Sequence, residues 1–184
     1  VVRKFSLLLA LASLAGLAIA APASASGGGL IAPASVCPGQ GRLAAPAAAQ
    51  ESTMLCMTDY ARDRAGLNAL ATTSELEQSA GDKGGDILRC DSFSHYACGR
   101  EFTYWMQETG YTSGPCWHVG ENLAWGSGEY GTVRSIFRAW MTSPEHRANI
   151  LGDYTEVGLN VQTGTLSGIE GTRVWTGHFG RRCD

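Results

Sequence analysis

The sequence predicts an α+β domain built on a small antiparallel sheet. Three observations carry that prediction. Apolar residues recur at helical spacing through the first two thirds of the chain, the last third switches to strict alternation, and helices precede most strands, which excludes the βαβ rhythm of a parallel sheet.

The elements follow in order. Residues 1–25 read as a secretory signal peptide: Arg3 and Lys4 form a basic start, Phe5 to Ala20 is almost wholly Leu, Ala, Ile and Gly, and Ala23-Ser24-Ala25 is a small-x-small cleavage site. The apolar run is short for a membrane span and breaks at Pro22 without a basic flank, so no span is expected. Residues 26–48, rich in Gly, Ala and Pro, read as a flexible lead-in that Cys37 pins to the body, and residues 49–184 as one folded domain. Met54, Met57, Ala61 and Ala65 share a helix face, with Gly66 at the C′ position.

A second helix begins at Ser74, where Ser74 and Glu77 form an S-x-x-E capping box. Leu76, Ala80 and Ile87 supply its inner face. Gly81, Gly84 and Gly85 each weaken it by roughly 1 kcal/mol relative to Ala, so it is bent, interrupted or held by tertiary packing. A third helix is expected from about Arg100 to Thr109, with Phe102, Trp105 and Met106 inward. Val133, Ile136, Phe137, Trp140 and Met141 mark a fourth. Ser143-Pro144 stops it and starts a short fifth, with Ser143 as N-cap and Pro144 at N1. Val157, Leu159 and Val161 alternate, as do Val174, Thr176 and His178 opposite Trp175 and Phe179. With the turn-rich stretch Thr163 to Gly171 between them they predict a hairpin with a long loop. Gly120 to Trp125 supplies a third strand, with Glu121, Leu123 and Trp125 on one face.

Charge and cysteine usage narrow the function. Losing Arg3 and Lys4 from 14 basic residues leaves 12 against 17 acidic ones, moving the formal charge from −3 to about −5. No basic patch answers a phosphate backbone, so nucleic acid is excluded as a partner. Cysteines 37, 56, 90, 98, 116 and 183 form an even set without C-x-x-C spacing, which in an exported chain predicts three disulfides. Cys90 and Cys98, eight apart, are the expected local pair; the other four leave three pairings open.

Two motifs place ionisable residues among apolar ones: Glu121 in Gly120-Glu121-Asn122-Leu123-Ala124-Trp125-Gly126, and His146 just past Pro144. His95 lies in the loop that Cys90 and Cys98 would close. Two imidazoles and a carboxylate from three elements match a His₂Glu metal set, or a general acid/base pair with an orienting group. They also match side chains that only tie loops together. His118 and His178 carry weaker signals. His118 precedes a strand, and His178 alternates with Val174 and Thr176 as a residue facing one side of a sheet does. G-x-S-x-G, H-E-x-x-H, P-loop and EF-hand patterns are absent from the sequence.

Phe93-Ser94-His95, the 120–126 run, Trp140 to Leu151 (WMTSPEHRANIL), Tyr154 to Gly158 and Trp175 to Gly180, in that order, resemble a bacterial member of the CAP superfamily. That superfamily comprises cysteine-rich secretory proteins, antigen 5 and pathogenesis-related class 1 proteins. The resemblance covers about Gln50 to Cys183 and implies a three-layer α-β-α sandwich with a cleft holding two His and two Glu. His95 and Glu121 match the first of each. Ser143 stands near the place of the second Glu, Asp153 precedes the Tyr154-Thr155 pair where a His is usual, and the bacterial branch brings His146 into the cleft. The expected site is therefore His95, Glu121 and His146, with Asp153 beside them.

The resemblance does not fix one activity, but no recognisable nucleophile or water-activating base stands beside the expected ligands, so the sequence favours a secreted, extracellular, monomeric binding module over an enzyme. Its cleft would take a divalent metal, a small apolar ligand or an extracellular partner. His95, Glu121 and His146 would hold zinc or another divalent ion weakly. The alternative is a metal-assisted hydrolase acting on peptides or cell-wall material. No catalytic residue is assigned.

Overall fold

The computed structural model describes residues 27–183; the expected signal peptide lies outside the described residues. The elements are α1 (Ala47–Arg64), β1 (Ala71–Thr72), α2 (Ser74–Arg89), α3 (Tyr104–Glu108), β2 (Trp117–Gly126), α4 (Val133–Thr142), α5 (Pro144–Ile150), β3 (Glu156–Leu166) and β4 (Ile169–Arg182), with short 3-10 turns between some of them. The sheet order is β1-β3-β4-β2. β3/β4 and β2/β4 are antiparallel, while β1, absent from the sequence reading, adds a two-residue parallel pair, Ala71 with Glu156 and Thr72 with Val157.

Strand alternation divides the molecule into three layers. Val157, Leu159, Val161, Trp175 and Phe179 point to one side and pack with Met54, Met57 and Ala61 of α1, the Val133–Met141 stripe of α4 and Ile150 of α5. Val174 and Leu123 point to the other side, under Ile87 of α2, while Leu76, Met106 and Tyr111 form a third cluster there. The α+β sandwich is thus the fold, with α2 and α3 on one face and α1, α4 and α5 on the other.

The glycines of α2 are answered by packing. The helix runs unbroken, and a Cβ on Gly84 would sit 2.8 Å from Gln162 Cγ. Across the interface, a Cβ on Gly158 of β3 would lie 2.0 Å from the Leu76 carbonyl carbon. Helix and sheet approach closely because side chains are missing where they touch, and the propensity lost to glycine is offset by that contact.

Four local expectations change. The N-cap of α2 is Thr73, whose hydroxyl accepts from Leu76 N, so Ser74 is already inside the helix. The third helix shrinks to Tyr104–Glu108, because Arg100 is drawn toward α2 by Asp86 instead of entering a helical turn. The long hairpin loop is absent. β3 and β4 run on until Leu166 pairs with Ile169, leaving Ser167 (φ 49°) and Gly168 (φ 76°) as a two-residue turn. Two positive φ values in succession suit the twist of a tight hairpin. The lead-in is packed rather than loose: Leu30, Ala32 and Cys37 are buried in the main core, and Gln40 Nε2 donates to Ala32 O at 3.0 Å.

All six cysteines pair, as Cys37–Cys56, Cys90–Cys98 and Cys116–Cys183. The first ties the lead-in to α1, the second closes the His95 loop, and the third joins the segment before β2 to the residue after β4.

Candidate functional site

Glu121 organises the site. It lies in β2 directly opposite His178 of β4, and both side chains point toward α2. The Glu121 side chain is 1 % exposed. Each of its oxygens accepts a ring N–H: Oε1 from His95 Nδ1 at 2.6 Å, Oε2 from His178 Nε2 at 2.8 Å. On the far side His178 Nδ1 meets Ser79 Oγ of α2 at 2.7 Å. Lys83, one helical turn on, is also buried; its ammonium donates to the His95 carbonyl and stands 3.9 Å from Glu121 Oε1.

The electrostatics favour an ionised Glu121. Burial alone would raise its pKa, but the His178 and His95 hydrogen bonds, with the Lys83 charge behind them, hold it below the usual carboxylate range. Lys83 is pushed down, chiefly by burial, while Glu121 and Asp86 partly restore it. A buried carboxylate is tolerated here because its lone pairs meet donors and its charge meets an ammonium.

The His95 loop is held from several directions. The Cys90–Cys98 bridge closes it, and Lys83 binds its backbone. Asp86, fully buried on α2, accepts from Arg100 Nη1 at 2.6 Å, from Trp105 Nε1 at 2.8 Å and from Arg89. The His95 side chain remains 50 % exposed. Phe93 of the same loop stands edge-on to Trp125, ring centroids 6.5 Å apart, and both rings reach solvent.

The residue after Glu121 serves the opposite layer. Asn122, fully buried, donates from Nδ2 to His146 O at 2.9 Å and accepts from Asn149 Nδ2 at 2.8 Å. Successive strand residues face opposite sides, so Glu121 binds the α2 layer while Asn122 docks α5. Gly120 clears space for this: a Cβ there would lie 2.5 Å from the Tyr154 hydroxyl and 2.9 Å from Asn149 Oδ1. Burial first, and then the charge of His95, hold His146 below the ordinary imidazole range.

Of the expected residues, His95 and Glu121 are in direct contact, while His146 is set on α5, its carbonyl accepting from Asn122. Asp153 is elsewhere in its bonding: its carboxylate, whose side chain is 84 % exposed, pairs with Arg181. His118 stacks on Tyr154 at 4.9 Å between centroids. Sequence reasoning ranked His178 low and missed Lys83 and Ser79. Lys83 did leave a signal, since it falls on the helical stripe of Leu76, Ala80 and Ile87, where a charge needs a buried partner. His178 left only its alternation, because the register that sets it against Glu121 is not written locally.

The donor set decides what the site can hold. Glu121 has both oxygens engaged by N–H groups, so it stands behind His95 rather than beside it as a ligand. The remaining free donor on His95 is Nε2. Among the described residues no three His, Cys, Asp or Glu side chains form a ready metal cage. Ser79, His178 and Glu121 follow the order of a serine–histidine–carboxylate triad, yet Ser79 is fully buried and its hydroxyl cannot meet a substrate.

Comparison with known proteins agrees with this architecture. The model of the cysteine-rich secretory protein family matches residues 55–179. The uncharacterized protein YkwD of Bacillus subtilis (strain 168) is 28 % identical over 132 residues, covering 71 % of this chain and 47 % of that protein. The chain thus spans about half the length of this curated relative. Among solved structures, an extracellular protein containing a SCP domain from Bacillus anthracis superposes with a TM-score of 0.62 at 20 % identity, covering 74 % of this chain and 41 % of the other. An outer surface protein from Borrelia burgdorferi gives 0.59 at 18 % identity, covering 72 % and 92 %. A cysteine-rich secretory protein from Staphylococcus aureus gives 0.57 at 17 %, covering 76 % and 41 %. At these identities the structures speak for the fold, while the family model spans most of the chain from α1 through Phe179. Both motifs that place Glu121 and His146 fall inside that span, and the chain belongs to the cysteine-rich secretory protein family.

Proposed function

We propose that this chain is a secreted, non-enzymatic binding module whose ligand site is the half-exposed His95 ring together with His146 of α5. The carrying observation is the use of Glu121: with Oε1 fixed on Nδ1 of His95, the Nε2 lone pair of that ring is left for a ligand. Three disulfides and extracellular or outer-surface structural relatives support an exported protein, since such bridges persist in oxidising compartments.

A divalent ion such as zinc suits the two imidazoles. Two protein ligands fall short of the usual three or four, so the site would be weak and would leave positions for water or a partner's group. Glu121 then has the role of an outer carboxylate that orients the ligating ring. Such an ion would supply an anchoring charge for an incoming donor group. The exposed Phe93 and Trp125 rings offer apolar contact next to it.

Calorimetric titration with zinc near neutral pH tests the reading. Wild type should bind weakly, and His95→Ala or His146→Ala should abolish the heat while leaving the thermal transition nearly unchanged. Equal heats for all three proteins would overturn it.

A further inference from the structure

The geometry points to His178 as a positioning residue: acting through Glu121, it holds His95 in the Nδ1–H tautomer and so decides which nitrogen faces the ligand. This rests on the reading of His95 as the ligand-binding ring, but it concerns that ring alone and is measured without a ligand.

An ionised carboxylate only accepts, so each imidazole nitrogen touching Glu121 carries a proton. That assigns Nδ1–H to His95, 2.6 Å from Oε1, and Nε2–H to His178, 2.8 Å from Oε2. The far nitrogen of His178 meets Ser79 Oγ, which also lies 3.0 Å from Leu76 O. If the Ser79 hydrogen goes to His178, that ring is neutral; if it goes to Leu76, Nδ1 of His178 donates instead. Either way Nε2–H of His178 points at Glu121, so the consequence for His95 is the same.

His178 is the link on which this depends. Among the described residues it is the hydrogen-bond donor to Oε2. The Lys83 ammonium, 3.9 Å from Oε1, is beyond hydrogen-bond reach and is committed to the His95 carbonyl. Without His178, Oε2 becomes a buried acceptor with no donor, an arrangement proteins avoid. The carboxylate would turn or draw in water, and Oε1 would lose its fixed place on Nδ1 of His95. The His95 ring would then relax toward the tautomer that free histidine prefers, with the proton on Nε2, and would present an N–H where a ligand needs a lone pair. His178 reaches this position from a strand whose pairing with β2 sets it directly opposite Glu121, so its direction is fixed by the backbone of the sheet.

Two-dimensional ring-nitrogen NMR of the metal-free full chain, at about pH 8 and so above the ordinary imidazole range, reads the tautomer of His95 directly. Wild type should show the proton on Nδ1. His178→Phe should convert His95 to a mixture with Nε2–H in the majority. His178→Gln, whose amide can donate to Oε2, should restore the wild-type pattern, and Ser79→Ala, which keeps the bond to Glu121, should never lose it. Should the Phe variant not fold, His178→Asn, with an amide too short to reach Oε2, takes its place. A wild-type His95 protonated on Nε2, or an unchanged His95 pattern in the Phe or Asn variant, would overturn the proposal. A failed zinc titration would remove the metal reading and leave this result standing, so the two failures are distinguishable.

Discussion

Glu121 and His178 are 57 residues apart in sequence and directly opposite each other across the β2–β4 ladder, joined by a 2.8 Å hydrogen bond in a fully buried setting. That contact joins two sheet strands, and the next contact on each side reaches another element: Ser79 on α2 and His95 in the disulfide-closed loop. One carboxylate therefore couples a surface ring to the interior of the fold.

The coupling gives Glu121 a large stability role. Removing one partner of a buried charged group leaves the others unpaired, so Glu121→Gln should lower unfolding free energy by about 2–4 kcal/mol. Because the folded carboxylate is depressed, its contribution is full above the unfolded value of 4.5 and is lost as pH falls through the lower folded value. Urea unfolding of wild type should show stability declining below about pH 4.5, with a shallower decline in the Gln variant. Parallel pH curves for the two proteins would count against this role.

Glu51 should behave in the opposite way. Its carboxylate accepts from Val161 N at 3.1 Å on β3, and it is raised above 4.5, mainly by burial and also by Glu77, against the lowering effect of that hydrogen bond. A raised carboxylate favours the fold below 4.5 and loses that contribution as pH rises through the folded value. Glu51→Gln keeps an acceptor for Val161 without the charge. It should be more stable than wild type near neutral pH, and the advantage should vanish near pH 4. A variant less stable than wild type at neutral pH would refute the expectation.

Two glycines make a contrasting pair. At Gly158 a Cβ would press on the Leu76 backbone, which has no flexible end to move, so Gly158→Ala should cost about 3 kcal/mol or more, or prevent folding. At Gly85, inside α2, an added Cβ meets nothing within 4 Å, so Gly85→Ala should gain about 0.5–1 kcal/mol from helix propensity. Thermal melts of both variants should move in opposite directions.

The Cys90–Cys98 bridge closes a short loop, and the paired Ser replacements should lose about 2–3 kcal/mol. The same change frees the loop that carries His95, so exchange of its amides should accelerate well beyond the global loss. Proteolytic mapping without reduction should recover Cys37 with Cys56 and Cys116 with Cys183.

Much of this protein is legible in its sequence because the relevant physics is local. The Val133–Met141 stripe repeats at the helical period, Pro144 enforces a helix start, and the alternation of Val157 to Val161 marks a half-buried strand. The Cys90–Cys98 pair follows from spacing alone. Glu121 and His146 stand out because charge among apolar neighbours needs a partner, but the sequence does not say which partner. Tertiary structure decided that His178 faces Glu121, that Lys83 turns its buried charge toward the same carboxylate, and that Asp153 goes to Arg181 at the surface. It also chose the pairing of four cysteines, carried the lead-in into the core and shrank the hairpin loop to two residues. The physical reason is the same in each case. Strand register and layer packing are set by the sum of many weak contacts over the whole sheet, and a shift of one residue would have turned His178 to the other face.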